Sequence, residues 1–311
     1  MKRLLKESPA NLYYFGLKVM YAKDLCILTQ ESSKSVKLKN EVILKYLEKK
    51  YRYLIEKYQT MEEVSSVYNA EEKPIWVFWW DGISNMPEII RLCQKSRENR
   101  AGTHPVILLC KENIQNYVDF PDYVWTQFEE KRLKIQHLAD MIRVQLIQRY
   151  GGIWLDASVF CAKEIPDRYF EVPIYSLKGK VDESFVSKNQ WTTFIIGGQK
   201  GNILCSFLNE FFIEYCKTKK PFIDYFMFDC AIALAYRHIP RVKNELDSLE
   251  KAPGNYYWMD DKLYKKWDES LRKEFSKQKS VFYKISWKRS FADQGKDTFY
   301  RYLLKRENVY E

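Results

Sequence analysis

The clearest pattern in the chain is a set of short, wholly apolar runs set between amphipathic stretches. Residues 75–80 (IWVFWW) are apolar throughout, with Pro74 before and Asp81-Gly82 after, which predicts a strand buried on both faces. Residues 106–110 predict a second such strand. Between them a helix is expected to about residue 100, capped at Ser84 or Asn85 with Pro87 and Glu88 in its first turn. Strand, helix, strand with short links is the start of a parallel α/β sheet, whose ligands sit beyond the carboxyl ends of the strands. A short helix at 113–118 and a brief strand at 123–125 are expected next.

The next stretch, HLADMIRVQLIQRYGGIWLDASVF over 137–160, organises the rest. Leu138, Ile142 and Leu146 recur at i, i+4, i+8, a helical stripe flanked by Asp140 and Arg143. Gly151 suits the left-handed position that ends a helix, and Gly152 a sharp reversal. Ile153-Trp154-Leu155 then reads as a buried strand ending on Asp156, and a period of two turns Ser158 the same way as Asp156. Further on, strands are expected at 172–177, 191–196 and 281–287, and helices at 202–217, 222–236 and 295–304.

Residues 1–70 predict helices, with NLYYFGLKVMYAKDLCIL and EVILKYLEKKYRYLIEKY joined by a polar linker, ESSKSVKLKN. This part reads as a helical appendage packed on the remainder or, alternatively, as a membrane-leaning or acceptor-side element. The fold class is α/β, a mixed sheet flanked by helices, with a boundary near residue 70.

Composition narrows the function. With 311 residues, 9 Trp, 23 Tyr and 18 Phe, the chain can bury a large core. Its 7 cysteines form no C-x-x-C and no zinc spacing, and no signal-peptide pattern opens the chain, so buried free thiols in a reducing cytosol are expected. The net charge of +10 is carried by the ends: 13 Lys+Arg against 6 Asp+Glu over 1–58, and 14 against 7 over 262–311. Basic ends around a mildly acidic middle suit peripheral contact with an anionic membrane better than a nucleic-acid groove. No apolar run is long enough to span a bilayer.

P-loop, dinucleotide, nucleophile-elbow and zinc-protease motifs are all missing, and the three histidines (104, 137 and 238) are scattered. What remains is Asp, Arg, aromatics and hydroxyls. Carboxylates and guanidinium groups bind sugar hydroxyls, an Asp at a strand end can hold Mg²⁺ or Mn²⁺ with substrate phosphates, and aromatics can stack on a base. Together these describe a nucleotide-diphosphate-sugar site. Asp140 and Arg143 alone could be a plain i,i+3 ion pair; joined to Gly-Gly, a strand and Asp156, they read as part of that site. Asp224 and Asp229 read as helix-surface residues, with acceptor binding as the alternative.

The run A-D-M-I-R, seven residues, G-G-I-W-L-D-A-S resembles the signature of DXD-containing sugar transferases of the GT-A fold, and most resembles bacterial capsular polysaccharide synthesis proteins. KPIWVFWWDG is similar to that family's first strand, and FPDYVWTQFEEKRLKIQHLAD to its approach to the signature helix. The clear match covers about residues 73–165. The resemblance implies a GT-A-like domain over 71–311 and transfer of a hexose, with retention, from a UDP-linked donor to a glycan or lipid-linked glycan at the inner face of the cell membrane. It implies a base contact at Phe78 and Trp79, a donor-sugar pair in Asp140 and Arg143, Gly152 beside the donor, and a closing segment at Ser286 and Trp287. Asp156 would bind diphosphate and, with Ser158 in place of the second Asp, Mn²⁺ or Mg²⁺. The rival readings are a non-catalytic sugar- or membrane-binding subunit of a polysaccharide assembly complex, which Ser158 would suit, and nucleic-acid binding through the basic ends.

Overall fold

The structure, a computed structural model, describes residues 2–61, 73–288, 295 and 297–309. The strands among them are β1 (Ile75–Phe78), β2 (Val106–Leu109), β3 (Gly152–Leu155), β4 (Val159–Cys161), β5 (Ile174–Ser176), β6 (Ile195–Gly198) and β7 (Phe282–Lys284). Five form one mixed sheet in the order β2-β1-β3-β6-β5, in which β1 runs parallel to β2 and β3 while β6 is antiparallel to β3 and β5. The protein is therefore mixed α/β, as the apolar runs predict.

Alternation along these strands fills both faces. Trp76, Phe78, Trp154 and Ile196 join one hydrophobic cluster, while Ile75, Val77, Ile153, Leu155 and Ile195 join another on the opposite side. The first cluster also takes in α7 (Ile135–Tyr150), α8 (Ile203–Lys217) and α9 (Met227–His238), which follow the N-terminal helices α1 (Lys2–Phe15), α2 (Leu17–Leu28), α3 (Ser33–Lys50) and α4 (Arg52–Gln59), α5 (Glu88–Glu98) and α6 (Asp122–Glu129) in the chain. Ile43, Leu47 and Leu54 of α3 and α4 are buried in that same cluster, and Tyr51 packs on Phe211 at 4.7 Å. After α10 (Pro240–Asp247) in the chain, the C-terminal helices α11 (Glu269–Ser276) and α12 (Phe299–Arg306) build a third cluster with α5, Phe160 and Tyr283.

A second, two-stranded sheet pairs β4 with β7 antiparallel, in the register Val159↔Lys284, Phe160↔Tyr283 and Cys161↔Phe282. This pairing carries the late strand to the end of β3. The seven cysteines are free, and all but Cys110 are buried.

Several elements differ from the pattern-based expectation. Residues 123–125 are helical, inside α6. Pro121 and Asp122 start that helix, and Val124 and Gln127, three apart, bury the same side, so tertiary packing overrides the β-branched and aromatic preference. The expected linker ESSKSVKLKN is helical from Ser33, with the Ser32 side chain accepting from the Ser35 N–H. α5 starts at Glu88 after Pro87, and Ser84 and Asn85 lie in a separate 3-10 turn. β6 starts later than expected and includes Gly197-Gly198. α9 starts at Met227, which leaves Asp224 in the preceding loop. Residues 62–70 of the expected N-terminal helical part lie outside the described residues.

Candidate active site

α7 and β3 form the frame. The helix ends at Gly151, whose φ of 75° suits glycine, and the Gly151 carbonyl accepts from the Trp76 indole N–H at 2.8 Å. At Gly152 the chain passes so close to β1 that a Cβ would sit 2.2 Å from the Pro74 carbonyl oxygen, with φ at 92°. Gly152 thus seats β3 against β1 at the strand's far end from Asp156.

Arg143 is the centre of the site. Its guanidinium lies between the rings of Trp154 and Phe228, 5.1 Å from each centroid, and donates to the Thr193 carbonyl. One nitrogen, Nη2, is 3.0 Å from Asp140 Oδ1 and 3.6 Å from Asp156 Oδ1, so the cation bridges both predicted carboxylates. Asp140 and Arg143 are buried, and Asp156 keeps part of its side chain open. The sequence-predicted trio is brought together.

Asp156 has a further partner that the sequence reading passed over. Lys284 Nζ lies 2.8 Å from Asp156 Oδ2, and the Trp154 indole N–H donates to Oδ1 at 2.9 Å. Burial alone would raise the Asp156 pKa; the Lys284 and Arg143 charges and these hydrogen bonds outweigh it and hold the carboxyl below its ordinary value. Lys284 reaches this position because β7 pairs with β4, and the Ile285 N–H donates to the Ser158 carbonyl at 2.9 Å. The only sequence signal was its place two residues before Ser286 in YKISWK.

Residues 156–159 are held from behind by Arg97, also unanticipated. This fully buried arginine donates to the carbonyls of Asp156 (3.4 Å), Ala157 (3.1 Å) and Val159 (2.8 Å), and to Gln94 Oε1 (2.9 Å). The Val159 N–H closes back on the Asp156 carbonyl at 2.9 Å, so this segment is a turn. The period-of-two alignment of Ser158 with Asp156 therefore does not apply: strand geometry ends at Leu155, and Ser158 is buried while Asp156 is half-buried.

Aromatic residues line the end of β1. Phe78 is buried against Trp80 and Trp154, with centroids at 6.2 and 6.3 Å. Trp79, one residue on, meets Trp287 edge to face at 5.7 Å; its indole N–H is buried and without a hydrogen-bond partner among the described residues. Ser286 is fixed by its N–H on Asp260 Oδ1 at 2.8 Å, and Trp287 is exposed. The late segment and the first strand thus do meet.

On the other side of Asp140, His137 stacks on Phe222 at 4.2 Å with Nδ1 3.6 Å from Asp140 Oδ2. Asp229 of α9 accepts from the Trp191 indole N–H at 3.0 Å, and its carboxyl is pushed up to about 7, chiefly by burial and further by the nearby Asp140 charge. Asp224 pairs with Lys39 at 2.9 Å, both side chains largely buried. Asp224 is therefore off the helix, and Asp229 is a half-buried residue of α9. His137, Phe222, Asp224 and Asp229 line an open cavity of about 770 Å³, which α1–α3 also line through Asn11, Lys23 and Lys39.

The resemblance implies Mn²⁺ or Mg²⁺ at Asp156 and Ser158. The donor set suits neither ion well. Both Asp156 oxygens are engaged by N–H donors, and two cations stand beside the carboxylate that a metal ion would need.

The sequence profile of a family described as capsular polysaccharide synthesis protein matches residues 24–303. The chain is also similar to the O-glycosyltransferase braB of Annulohypoxylon truncatum, 30% identical over 118 residues, which is 35% of this chain and 27% of that protein. The glycosyltransferase afumC of Aspergillus fumigatus is 23% identical over 165 residues, 47% of this chain and 41% of that protein. The chain thus spans about a quarter of the length of the first of these relatives and about two fifths of the second.

Proposed function

We propose, from the premise that the chain belongs to the capsular polysaccharide synthesis protein family, that it is a glycosyltransferase of the GT-A type. It moves a hexose from a nucleotide-diphosphate sugar, UDP-linked, to a capsular polysaccharide, exopolysaccharide or lipid-linked oligosaccharide acceptor. The observation that carries this reading is Arg143, a buried guanidinium bridging Asp140 and Asp156 beyond the carboxyl ends of the parallel strands.

Asp140 accepts hydrogen bonds from donor-sugar hydroxyls, and Arg143 orients it while facing the diphosphate. Trp79 and Trp287 give the base an aromatic wall. The cavity between α9 and the N-terminal helices receives the acceptor, which gives those helices a task on the acceptor side. The bond from the anomeric carbon to the diphosphate breaks with its electron pair on the phosphate oxygen, where fixed cations offset the developing charge. The acceptor oxygen bonds to the anomeric carbon from the same face, and its proton passes to the departing diphosphate, which retains configuration.

Among the described residues no helix is long and apolar enough to cross a membrane. On this reading the protein works at the inner face of the membrane; peripheral contact with a membrane surface is supported by α1 and α2, which expose Leu5, Tyr13, Leu17, Tyr21 and Leu28 beside the exposed Lys6 and Lys18.

The test is turnover of a panel of nucleotide sugars by the purified protein, with the product linkage read by NMR. Release of one nucleoside diphosphate, reduced at least about 100-fold in Asp140→Ala, is expected. An inverted linkage would overturn retention. Calorimetric binding of nucleotide sugar without any turnover would favour the non-catalytic subunit.

A further inference from the structure

The structure assigns Lys284 the place that a divalent cation holds in a nucleotide-sugar site, so that its ammonium and Arg143 together neutralise the departing diphosphate without a metal ion. This rests on the nucleotide-sugar reading above and goes beyond it by naming the residue that carries the charge.

Lys284 Nζ is 2.8 Å from Asp156 Oδ2, on the carboxylate that a metal ion would need. The other oxygen is engaged by Trp154, with Arg143 at 3.6 Å. A divalent ion at Asp156 would have to displace the ammonium and then sit beside two fixed positive charges, a costly arrangement in a site of reduced dielectric. Lys284 is also held in place rather than dangling. Its Nζ lies 5.5 Å from the Phe194 ring centroid, and its backbone is registered opposite Val159. The turn that presents Asp156 is fixed by Arg97, whose partners there are carbonyl oxygens.

An ammonium has three N–H donors. One is directed at Asp156, and with about a quarter of the side chain exposed the others can turn towards phosphate oxygens of a bound donor. Asp156 is then a positioning residue for Lys284. No proton need leave the lysine: the electron pair of the breaking bond stays on the phosphate oxygen, and the ammonium hydrogen-bonds to it.

UDP binding to the full chain, followed by calorimetry in EDTA and again in Mn²⁺, tests this, with Mn²⁺ paramagnetic resonance as a readout independent of turnover. Wild-type protein is expected to bind UDP equally in both conditions and, before UDP is added, to leave the Mn²⁺ resonance as it is in buffer alone. Lys284→Met should weaken binding in EDTA at least about tenfold with unchanged circular dichroism, and Lys284→Arg should restore most of it. Wild-type binding that requires Mn²⁺, or an unaltered affinity in a folded Lys284→Met protein, would overturn the assignment while leaving the donor site intact. If Lys284→Met does not fold, the wild-type comparison decides alone. Absence of UDP and GDP binding in either condition would remove the donor site itself, and the assignment with it.

Discussion

The indole rings of Trp79 and Trp287 meet edge to face, their centroids 5.7 Å apart and their planes at 89°. The contact ties the end of β1 to a segment more than two hundred residues later, at the rim of the site. Trp287 is 46% exposed, so its ring is open to a ligand on one side. A base stacked against such a wall gains about 1–3 kcal/mol. Trp287→Ala is therefore expected to weaken UDP binding about tenfold or more, with Trp287→Phe recovering most of it. Calorimetry checks this, and equal affinity for UDP and free phosphate-only probes across the three proteins would place the base elsewhere.

Arg97 predicts a different outcome, one of stability. Its fully buried guanidinium donates to three carbonyls of the turn at 156–159, and burial lowers its pKa. Removing it leaves those oxygens without the donor they face in a dry interior. Arg97→Met should cost about 3–5 kcal/mol. Arg97→Lys should recover little, since an ammonium lacks the planar fork. Urea unfolding measures both, and a loss under about 1 kcal/mol would mean that the turn stands without this support.

The exposed apolar side of α1 and α2 makes its own prediction. Leu17 and Tyr21 are 66% and 61% exposed, with Lys18 between them. Replacing both by Glu removes apolar contact and adds negative charge. Flotation with phosphatidylglycerol vesicles should then fall sharply, and wild-type binding should weaken with salt. Flotation that is indifferent to both changes would take the membrane away from this surface.

The main sheet was legible because its strands announce themselves. Ile75–Phe78, Val106–Leu109 and Ile153–Leu155 are apolar on both faces and bounded by Pro, Gly or Asp; the structure buries the first and third fully, while the second is the edge strand, and of its four residues only Leu109 is buried. Asp140, Arg143 and Asp156 were legible because two lie on one helix and the third ends the next strand. Lys284 and Arg97 were not. Lys284 reaches Asp156 only through the register of β4 with β7, and no local pattern encodes a pairing between strands so far apart in the chain. Arg97 lies in an amphipathic helix rich in charge, where local spacing cannot separate a buried arginine from a solvated one. Tyr123–Trp125 shows the same limit, since strand-like composition yields to the helix that lets Gln127 reach the Cys216 carbonyl.

Gly152 separates packing from binding. A side chain there would meet the Pro74 carbonyl at 2.2 Å at a φ that only glycine adopts readily. Gly152→Ala should destabilise the protein by about 3 kcal/mol or more. Whatever fraction folds should bind UDP with wild-type affinity, because the residue sits at the opposite end of β3 from Asp156. A stable variant with weakened UDP binding would restore Gly152 to the donor site.

Asp229 contributes a pH dependence of its own. Its carboxyl is pushed up to about 7 from 3.8, first by burial and then by Asp140, with Arg143 and the Trp191 N–H opposing. Between those two values the unfolded chain has lost a proton that the folded protein keeps. The unfolded state therefore binds fewer protons there, and stability falls as pH rises from about 4 to 7. Below the unfolded value the effect is absent, and above the folded value the whole cost is present. Asn in place of Asp keeps an oxygen for the Trp191 N–H and removes the titration. Asp229→Asn should therefore unfold with a flatter pH profile and be more stable than wild type at pH 8, by urea midpoints taken every pH unit from 4 to 8. Parallel profiles for the two proteins would show that Asp229 titrates in the folded state as it does in the unfolded one.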